Sequence, residues 1–302
     1  MRICSLFSSA TELLYAIGSG RSIVGRSDRC DYPAAVLRKP IVVRSNIASE
    51  RLSSRGIDEA VQTMRRRGVH QYDIDVPLLR RLQPDLVVTQ ELCNVCAAGH
   101  PEVLEAVRQL PQKPKIVSVT ARRFDELFES LEVLGDAVDH ARQAGALSRR
   151  LRRDIQAVQR RIRGDRAAPR VWCAEWLDPL MAAGHWIPEL VAMAGGVDGL
   201  GRIGEDSGRI PWEEVRRYDP QVILVMPCSF PIARTVKEFH LLSKLPAWSS
   251  LSAVKADRVF AVEGGLFHRP GPRLVQGLKL MATLFHPDRF PKAPAAYAKA
   301  MR

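Results

Sequence analysis

The sequence predicts an α/β protein of two lobes, each built on a parallel sheet, joined by one long backbone helix. The first observation is the stretch 122–163, whose apolar residues mostly recur three or four positions apart, as on one face of a helix. The second is that short apolar strands alternate with helical patterns on both sides of this stretch. Strands that are apolar throughout and alternate with helices are typical of parallel sheets covered on both faces.

The central stretch predicts a helix long enough to touch two bodies. Some forty residues would span about 60 Å, which is more than a single compact lobe requires. Thr120 can cap its start, Asp125 and Glu126 lie near its first turn, and arginines crowd its end, so the charges oppose the helix macrodipole. A coiled coil is the alternative, but the apolar spacing departs from a strict seven-residue repeat. The predicted parts are an N-terminal lobe 1–120, a backbone helix 121–165, a C-terminal lobe 166–290 and a tail 291–302.

The same order of elements recurs in the two halves. Strands are predicted in the first half at 2–6, 23–25, 41–43, 86–89 and 116–119, and helices at 8–17, 57–67, 76–82 and 101–110. In the second half, strands are predicted at 171–174, 222–226 and 259–262, and helices at 187–194, 212–218, 233–242 and 274–284. The tail from Pro287 is rich in proline and alanine and is predicted to pack loosely.

Composition indicates a folded protein that binds no nucleic acid. The chain has 302 residues, 46% of them hydrophobic, and a net charge of +12. Its arginines occur in short clusters without interleaved aromatic residues, so a solvated basic face is favoured over a nucleic-acid site. No apolar run approaches the roughly twenty residues that cross a membrane. The N-terminus shows no secretion signal and the six cysteines are few, so we expect a cytoplasmic protein with reduced thiols, or a periplasmic one if a leader was removed.

The loops that follow the strands contain the candidate ligand-binding residues. Ligands of open α/β sheets bind beyond the carboxyl ends of the strands, so these loops should line a cleft between the lobes. The candidates are Ser8, Ser9, Tyr32, Arg44, Glu91, Glu175, Trp176, His185, Trp186, Cys228, Phe267, His268 and Arg269. Aromatic walls with arginines to bind anions or amides suit a large, flat ligand with a polar rim. For Trp176 and Trp186, packing in a core is the alternative.

Two further patterns could bind a metal. Cys93 and Cys96 have the CxxC spacing of half a zinc site or of a redox pair, and structural thiols are equally open. A neutral imidazole can ligate cobalt or iron, and His185 is preferred over His268 as an axial ligand because Gly184 would let the backbone approach a ligand. Loop histidines are also often merely exposed. No GxSxG, HExxH or Walker pattern occurs and no GxGxxG follows the first strand, so no catalytic residue is assigned and no enzyme activity is expected.

Four segments occur in a characteristic order, namely FSSATEL at 7–13, CDYP at 30–33, PDLV at 84–87 and FHRPGPR at 267–273. With the central helix, they resemble the signatures of the cobalamin-binding receptors of ABC importers, over residues 2–286. These receptors are helical-backbone (class III) substrate-binding proteins, a group that also carries siderophores and haem. The resemblance implies two Rossmann-like lobes that hold a corrinoid, cobalamin or a precursor such as cobinamide, in their cleft. It also implies that the Tyr32 loop, the loop after residue 88, residues 175–186, Phe267 and Arg269 face the ligand.

The resemblance implies an ABC permease as partner, which such receptors contact through an acidic residue on each lobe. Glu102 matches in the first lobe, but residues 229–235 of the second contain no acid. The hypothesis is therefore a cytoplasmic relative that binds a corrinoid without serving an importer, and the candidate partners are a corrinoid-handling protein or an ABC permease. The alternatives are a binding protein for a ferric siderophore or haem, and a corrinoid-processing enzyme or chaperone that uses Cys93 and Cys96.

Overall fold

A computed structural model of the chain describes residues 1–91, 100–164 and 168–301, which form two compact units. The first unit comprises Met1–Leu52, Glu59–Ala121 and Asp125–Arg150. The second comprises Ser53–Asp58, Arg122–Phe124 and Leu151–Arg302. Each unit is an α/β body around one six-stranded sheet, so the predicted two-lobed α/β fold is confirmed.

The elements follow the predicted alternation in both halves. Up to the central stretch they are β1 (Ile3–Ser5), α1 (Ser8–Ala16), β2 (Ile23–Ser27), β3 (Ile41–Ser45), α2 (Ser54–Arg67), β4 (Tyr72–Ile74), α3 (Val76–Leu82), β5 (Leu86–Thr89), α4 (His100–Arg108) and β6 (Lys115–Ser118). The central stretch forms α5 (Glu126–Ala137) and α6 (Ala141–Ile162). Then come β7 (Val171–Leu177), β8 (Leu180–Ala182), α7 (Ile187–Met193), β9 (Gly208–Arg209), α8 (Trp212–Tyr218), β10 (Val222–Val225), α9 (Ile232–Glu238), α10 (His240–Ser243), α11 (Ser252–Lys255), β11 (Val259–Val262), α12 (Leu274–Phe285) and β12 (Ala298–Ala300).

The sheet of the first unit has the strand order β4-β3-β2-β1-β5-β6. All neighbouring pairs are parallel except β3 and β4. The central strands β1 and β5 are buried along their whole length, as their unbroken apolar runs predict. The parallel strands therefore end at one edge of the sheet, which we call the carboxyl edge of the first unit.

The sheet of the second unit has the order β12-β11-β10-β7-β8-β9, in which β7, β10 and β11 are parallel. These three are the strands that the sequence predicts for this half, and the sheet also contains β8, β9 and β12, which the sequence does not predict and which add antiparallel pairs at its margins. Asp178 and Pro179 alone connect β7 to β8, and so short a link can join only antiparallel strands. The tail, predicted to pack loosely, instead returns as β12 beside β11, which satisfies the backbone groups of that edge.

The central stretch is not the single helix that the periodicity predicts, because it breaks between α5 and α6. Asp139 has a φ of +58°, a left-handed conformation that aspartate tolerates better than most residues and that ends a helix. The backbone amide of His140 donates to the Gly135 carbonyl at 2.7 Å. The Nδ1 atom of the His140 side chain lies 2.8 Å from the Ile17 carbonyl oxygen and 2.9 Å from Ser19 Oγ. The apolar period continues across the break, which explains why periodicity did not reveal it.

Each unit has its own apolar core on its sheet. In the first unit the core joins the sheet to α3 and α4, with Cys4, Leu6, Val42, Val43, Tyr72, Leu79, Val87, Val103, Val107 and Leu110. In the second unit a core that includes Trp172, Trp212 and Trp248 packs on β7, β10 and β11. Of the helices in the described ranges, none combines the length and hydropathy needed to cross a membrane.

Candidate functional site

The carboxyl edge of the first unit brings together three of the predicted loops. Strand β1 lies between β2 and β5, so the segments that follow them, with Ser8, Tyr32 and Glu91, are neighbours. The chain runs outward from β1 through β2 and β3 to β4 and then crosses back to β5 on the other side of β1. This reversal of strand order is the topological switch point at which α/β sheets bind ligands. This edge is therefore the candidate ligand-binding surface of the first unit.

Buried side-chain hydrogen bonds within the first unit fix the turn from β1 into α1. Thr11 Oγ1 lies 2.8 Å from Ser5 Oγ and donates to Cys30 Sγ at 3.0 Å, so the loops after β1 and β2 are tied together. Ser8 is buried and begins α1, and Ser9 is 1% exposed. Ser9 is therefore removed from the candidate ligand contacts, because a side chain without exposed surface cannot reach a ligand in this structure.

Tyr32 is the aromatic side chain that the loop after β2 presents to solvent, with 44% of its surface exposed. The loop is supported by the buried Arg26, whose Nη1 donates to the carbonyls of Ser27 and Cys30. Asp28 fixes the other side of the loop by accepting the Ser45 amide at 2.8 Å. A half-exposed ring on a supported loop can provide a flat wall for a ligand.

Arg44 lies in a strand and not in the predicted loop after it, whereas Glu91 lies in the loop where it was predicted. Arg44 lies within β3, opposite Asp73 of β4, because the strand runs two residues further than its apolar run. Glu91 follows β5 and is exposed, and its amide donates to Thr120 Oγ1 at 3.1 Å, which links the loops after β5 and β6. Cys93 and Cys96 lie outside the described residues, so their role stays a prediction.

The carboxyl edge of the second unit carries the other candidates. Trp176 lies in β7 just beyond its parallel part, and its ring meets the Phe230 ring edge-on at 5.2 Å. The Trp176 indole N–H donates to the carbonyls of Ser54 and Asp178, both at 3.2 Å. Glu175 lies at the bulge in the same strand, and its carbonyl accepts the Cys228 amide at 3.2 Å. These contacts fix the segment after β10 beside β7.

His185 is held in one orientation between β8 and α7. Its φ is +52°, its amide donates to Glu205 O at 2.7 Å, and its carbonyl accepts the Gly204 amide at 2.9 Å. Its Nε2 lies 3.2 Å from Asp206 Oδ1, and because a carboxylate only accepts, Nε2 carries the proton and Nδ1 keeps its lone pair. Gly184 is required by this packing, since a Cβ there would lie 2.6 Å from the Ser207 amide nitrogen.

The electrostatic surroundings keep the His185 imidazole neutral near pH 7. Burial lowers the pKa of His185, Asp206 opposes this shift, and the Arg122 charge lowers the pKa further. A neutral imidazole whose second nitrogen donates to a carboxylate is the usual arrangement of a metal-ligating histidine. The role of His185 as an axial ligand stays a prediction.

Trp186 and Phe267 serve the core of the second unit. The Trp186 indole N–H donates to the Phe267 carbonyl at 2.7 Å, and both side chains are buried. Phe267 is fully buried, at 0% exposure, and packs against Gly277 of α12. Because a ring without exposed surface offers no face to a ligand, Phe267 is not a ligand wall in this structure, and for Trp186 the alternative of core packing is the better description.

His268 lies near His185 but is engaged differently. Its Nδ1 lies 3.0 Å from Gly264 O, and since a carbonyl only accepts, Nδ1 carries the proton. Its Nε2 is buried and has no hydrogen-bond partner within the described ranges. Burial lowers the pKa of His268 to about 4, and the charges of Arg269 and His185 lower it further. His268 is thus a neutral side chain whose free nitrogen is closed to solvent.

Cys228 and Arg269 complete the candidates at this edge. Cys228 follows β10 and is half-buried, with Sγ 3.8 Å from Oγ of Ser229, whose φ is +63°. Arg269 follows β11 and is close enough to His268 for its charge to affect that pKa. Asp206 and Phe230 are site residues that the sequence did not reveal, because neither belongs to a motif and each is defined by the side chain it meets. Within the described ranges, no group of three or more His, Cys, Asp or Glu could hold a metal ion.

The profile of the periplasmic binding protein family matches residues 3–264 of the chain, which is most of its length. The chain belongs to this family. Family members are solute-binding proteins of ABC importers, so the expectation of a binding protein rather than an enzyme is confirmed.

Two curated relatives align with most of the length of this chain. An uncharacterized ABC transporter substrate-binding lipoprotein of Bacillus subtilis is 25% identical over 293 residues, which are 96% of this chain and 81% of the relative. A vitamin B12-binding protein of Vibrio cholerae is 25% identical over 284 residues, which are 93% of this chain and 88% of the relative. The first name describes a lipoprotein, so the expectation of a cytoplasmic location gains no support from these relatives.

Solved structures of other binding proteins share the fold. The periplasmic vitamin B12 binding protein of Vibrio cholerae superposes with a TM-score of 0.67, at 23% identity, over 95% of this chain and 96% of that one. The periplasmic haem-binding protein of Roseiflexus sp. RS-1 superposes with a TM-score of 0.70, at 21% identity, over 96% of this chain and 99% of that one. At these identities the likeness shows the fold, which is common to binding proteins for different ligands.

Proposed function

We propose that this periplasmic binding protein binds a corrinoid, cobalamin or a precursor such as cobinamide, and delivers it to an ABC permease. The observation that carries the proposal is His185, a neutral imidazole held by Asp206 at the carboxyl edge of the second unit. One imidazole suits one axial position of a metal whose remaining ligands come from its macrocycle. The resemblance to vitamin B12-binding proteins along almost the whole chain favours cobalt in a corrin.

The carboxyl edge of each unit carries groups suited to such a ligand. Tyr32 and Trp176 offer aromatic surface, while Glu91, Glu175 and Arg269 can hydrogen-bond the propionamide rim of a corrin. The loops are tied by hydrogen bonds before the ligand arrives, so little conformational entropy is lost on binding. The protein would therefore bind its ligand through preorganised loops.

Haem is the second candidate, because the same imidazole can ligate iron and because haem-binding proteins share the fold. Haem carries propionates where cobalamin carries amides, so the two ligands differ in charge at the rim. A ferric siderophore supplies all the ligands of its iron and would not require His185. Dependence of binding on His185 therefore separates the two tetrapyrroles from a siderophore, while the corrinoid and haem are distinguished by which of them binds.

The test is a visible absorption titration of the purified protein with hydroxocobalamin, cobinamide and haemin. We expect saturable binding of a corrinoid, with a spectral shift from coordination of the imidazole to cobalt. His185→Asn should abolish the shift and weaken binding at least about tenfold, which corresponds to 1.4 kcal/mol. Asparagine is the suitable replacement because it tolerates the positive φ at this position.

The matched control is His240→Asn, because His240 is an exposed histidine of the same unit on α10. It should leave both the affinity and the spectrum unchanged. Binding of haemin but of no corrinoid would replace the proposal by the second candidate. Binding of none of the three ligands would overturn the assignment of a tetrapyrrole.

Replacing Cys93 and Cys96 together by serine tests the thiol-dependent alternative. Simple binding does not use a thiol, so the affinity for the corrinoid should stay within about twofold of the unchanged protein. The titration should be run with and without a reductant, because a disulfide between the two cysteines would respond to it. A loss of binding greater than tenfold in the double variant would contradict this expectation and point to a role for the thiols.

Contact with a permease would involve Glu102, the acid that the resemblance suggests on the first lobe. Glu102 lies in the first turn of α4, and its carboxylate is 2.7 Å from His70 Nδ1. A permease arginine would have to compete with His70 for this carboxylate. In the second unit, residues 229–235 contain no acid, and the nearby Glu238 binds Arg234 and Ser54. Docking therefore rests on fewer acidic contacts than the resemblance implies.

A further inference from the structure

Helix α6 carries an unusual density of positive charge on its solvent-facing side. Its sequence contains seven arginines and one acid, Asp154. The buried side of the helix is mostly apolar and contains Ala144, Leu147, Leu151, Ile155 and Val158, together with Ser148. The arginines are exposed, with Arg163 continuing the charge just beyond the end of the helix.

Four of these arginines form a line along the helix, which we call the arginine stripe. Arg142, Arg149, Arg153 and Arg160 are spaced by seven, four and seven residues, which places them on one face opposite the buried side. At 1.5 Å per residue the stripe is about 27 Å long. The helix is continuous over this distance, so the spacing of the charges is fixed by its backbone.

The charges of the stripe are not neutralised within the part of the chain that the structure describes. Asp154, the acidic residue of the helix, forms an ion pair in which its Oδ2 lies 3.1 Å from Lys279 Nζ. Arg161, beside the stripe, lies over the Phe290 ring at 4.9 Å. The four stripe side chains form no hydrogen bond or ion pair with another described residue. A row of exposed, unneutralised arginines costs electrostatic self-repulsion that an anionic partner would relieve.

We propose that the arginine stripe docks this protein on an anionic phospholipid surface. Guanidinium groups bind phosphate through paired hydrogen bonds, and a straight row matches a flat layer that offers phosphates all along it. Clusters of basic residues on a helix bind anionic lipid in this way. The exposed side between the arginines holds Gln143, Ala146, Gln156 and Ala157, without a large apolar residue, so the helix lies on the headgroups and does not insert.

A nucleic acid is the less favoured partner. Binding of single strands uses aromatic side chains on which bases stack, and α6 contains no aromatic residue. Docking on lipid would keep the protein beside the membrane in which a permease lies, and thereby raise its local concentration there. This consequence does not depend on which solute the protein binds.

The experiment is sedimentation of the full chain with vesicles. We expect binding to phosphatidylcholine vesicles that contain phosphatidylglycerol, no binding to phosphatidylcholine alone, and a decline as salt is raised from about 0.05 M to about 0.5 M. Replacing Arg142, Arg149, Arg153 and Arg160 by glutamine should lower the partition coefficient at least tenfold, since each arginine near the surface contributes about fivefold. Glutamine preserves the helix, because its helix propensity is close to that of arginine.

The matched control removes the same charge elsewhere, by replacing the exposed Arg21, Arg65, Arg67 and Arg81 with glutamine. It should bind within about threefold of the unchanged protein. An equal loss of vesicle binding in the control variant would show that binding depends only on net charge, and would contradict the proposal that the arginine stripe is the docking surface. Tighter binding to a DNA duplex than to the vesicles at equal salt would overturn lipid as the partner. The milder double variant Arg149→Gln with Arg153→Gln decides the matter if the quadruple variant does not fold.

Discussion

Replacing Trp172 by alanine should lower the free energy of unfolding of the second unit by about 3–5 kcal/mol. Trp172 lies in β7, the strand between β10 and β8, and is fully buried at 0% exposure. Its ring is 6.4 Å from that of Trp212, which in turn stacks on Trp248 at 6.0 Å. Alanine would leave a large cavity at the centre of this cluster, and the rigid sheet cannot close it.

The measurement is urea unfolding followed by tryptophan fluorescence. All five tryptophans lie in the second unit, so the signal reports that unit separately from the first. Trp172→Phe is the control, because it keeps a large ring and removes an indole N–H that has no hydrogen-bond partner within the described ranges. Phenylalanine should cost less than half as much as alanine. A loss below about 1 kcal/mol for alanine would contradict the central role of Trp172 in the core.

Replacing Asp198 by asparagine should remove a pH dependence of stability that amounts to about 3 kcal/mol. Asp198 lies between α7 and β9, and its Oδ1 accepts the amides of Leu200 and Gly201 at 3.1 and 2.8 Å. Its Oδ2 is buried without a hydrogen-bond partner in the described ranges. Burial raises the pKa of Asp198 from 3.8 to about 6, and the two amide hydrogen bonds oppose this shift only in part.

The sign follows from proton binding. Between about pH 4 and pH 6 the folded state holds the Asp198 proton while the unfolded state has lost it, so stability falls as the pH rises through this range. The shift of about two units corresponds to about 3 kcal/mol at 1.36 kcal/mol for each unit. Asparagine keeps the Oδ1 acceptor and has no charge to bury. The variant should therefore gain stability relative to the unchanged protein as the pH rises.

The measurement is the free energy of unfolding of both proteins at pH 4, 5, 6 and 7. Subtracting the free energy of unfolding of one protein from that of the other cancels the contributions of the other titrating groups. A cost of burying the amide that does not depend on pH shifts this difference equally at every pH and leaves its pH dependence unchanged. We expect this difference to grow by up to about 3 kcal/mol between about pH 4 and pH 7. A difference that does not change with pH would mean that Asp198 titrates as it does in water.

The sequence by itself was sufficient for the class of fold and for the kind of function. Unbroken apolar runs such as β5 and β10 have to be covered on both faces, which requires parallel strands with helices between them. Loops at the ends of such strands are forced to one edge, so Tyr32, Trp176 and His185 could be named as candidates before the fold was known. These features follow from local patterns and from general rules of connection.

The tertiary structure alone decided which candidates are available. Phe267 has the same local signature as an exposed aromatic residue, but its ring fills space beside Gly277. His185 acquires its tautomer from Asp206, twenty-one residues away in sequence, and its reduced pKa from burial. The break at Asp139 and the edge strand β12 likewise depend on partners distant in the chain. Burial, hydrogen-bond partners and pKa are properties of a position in space, and a pattern along the chain cannot contain them because it records only neighbours in sequence.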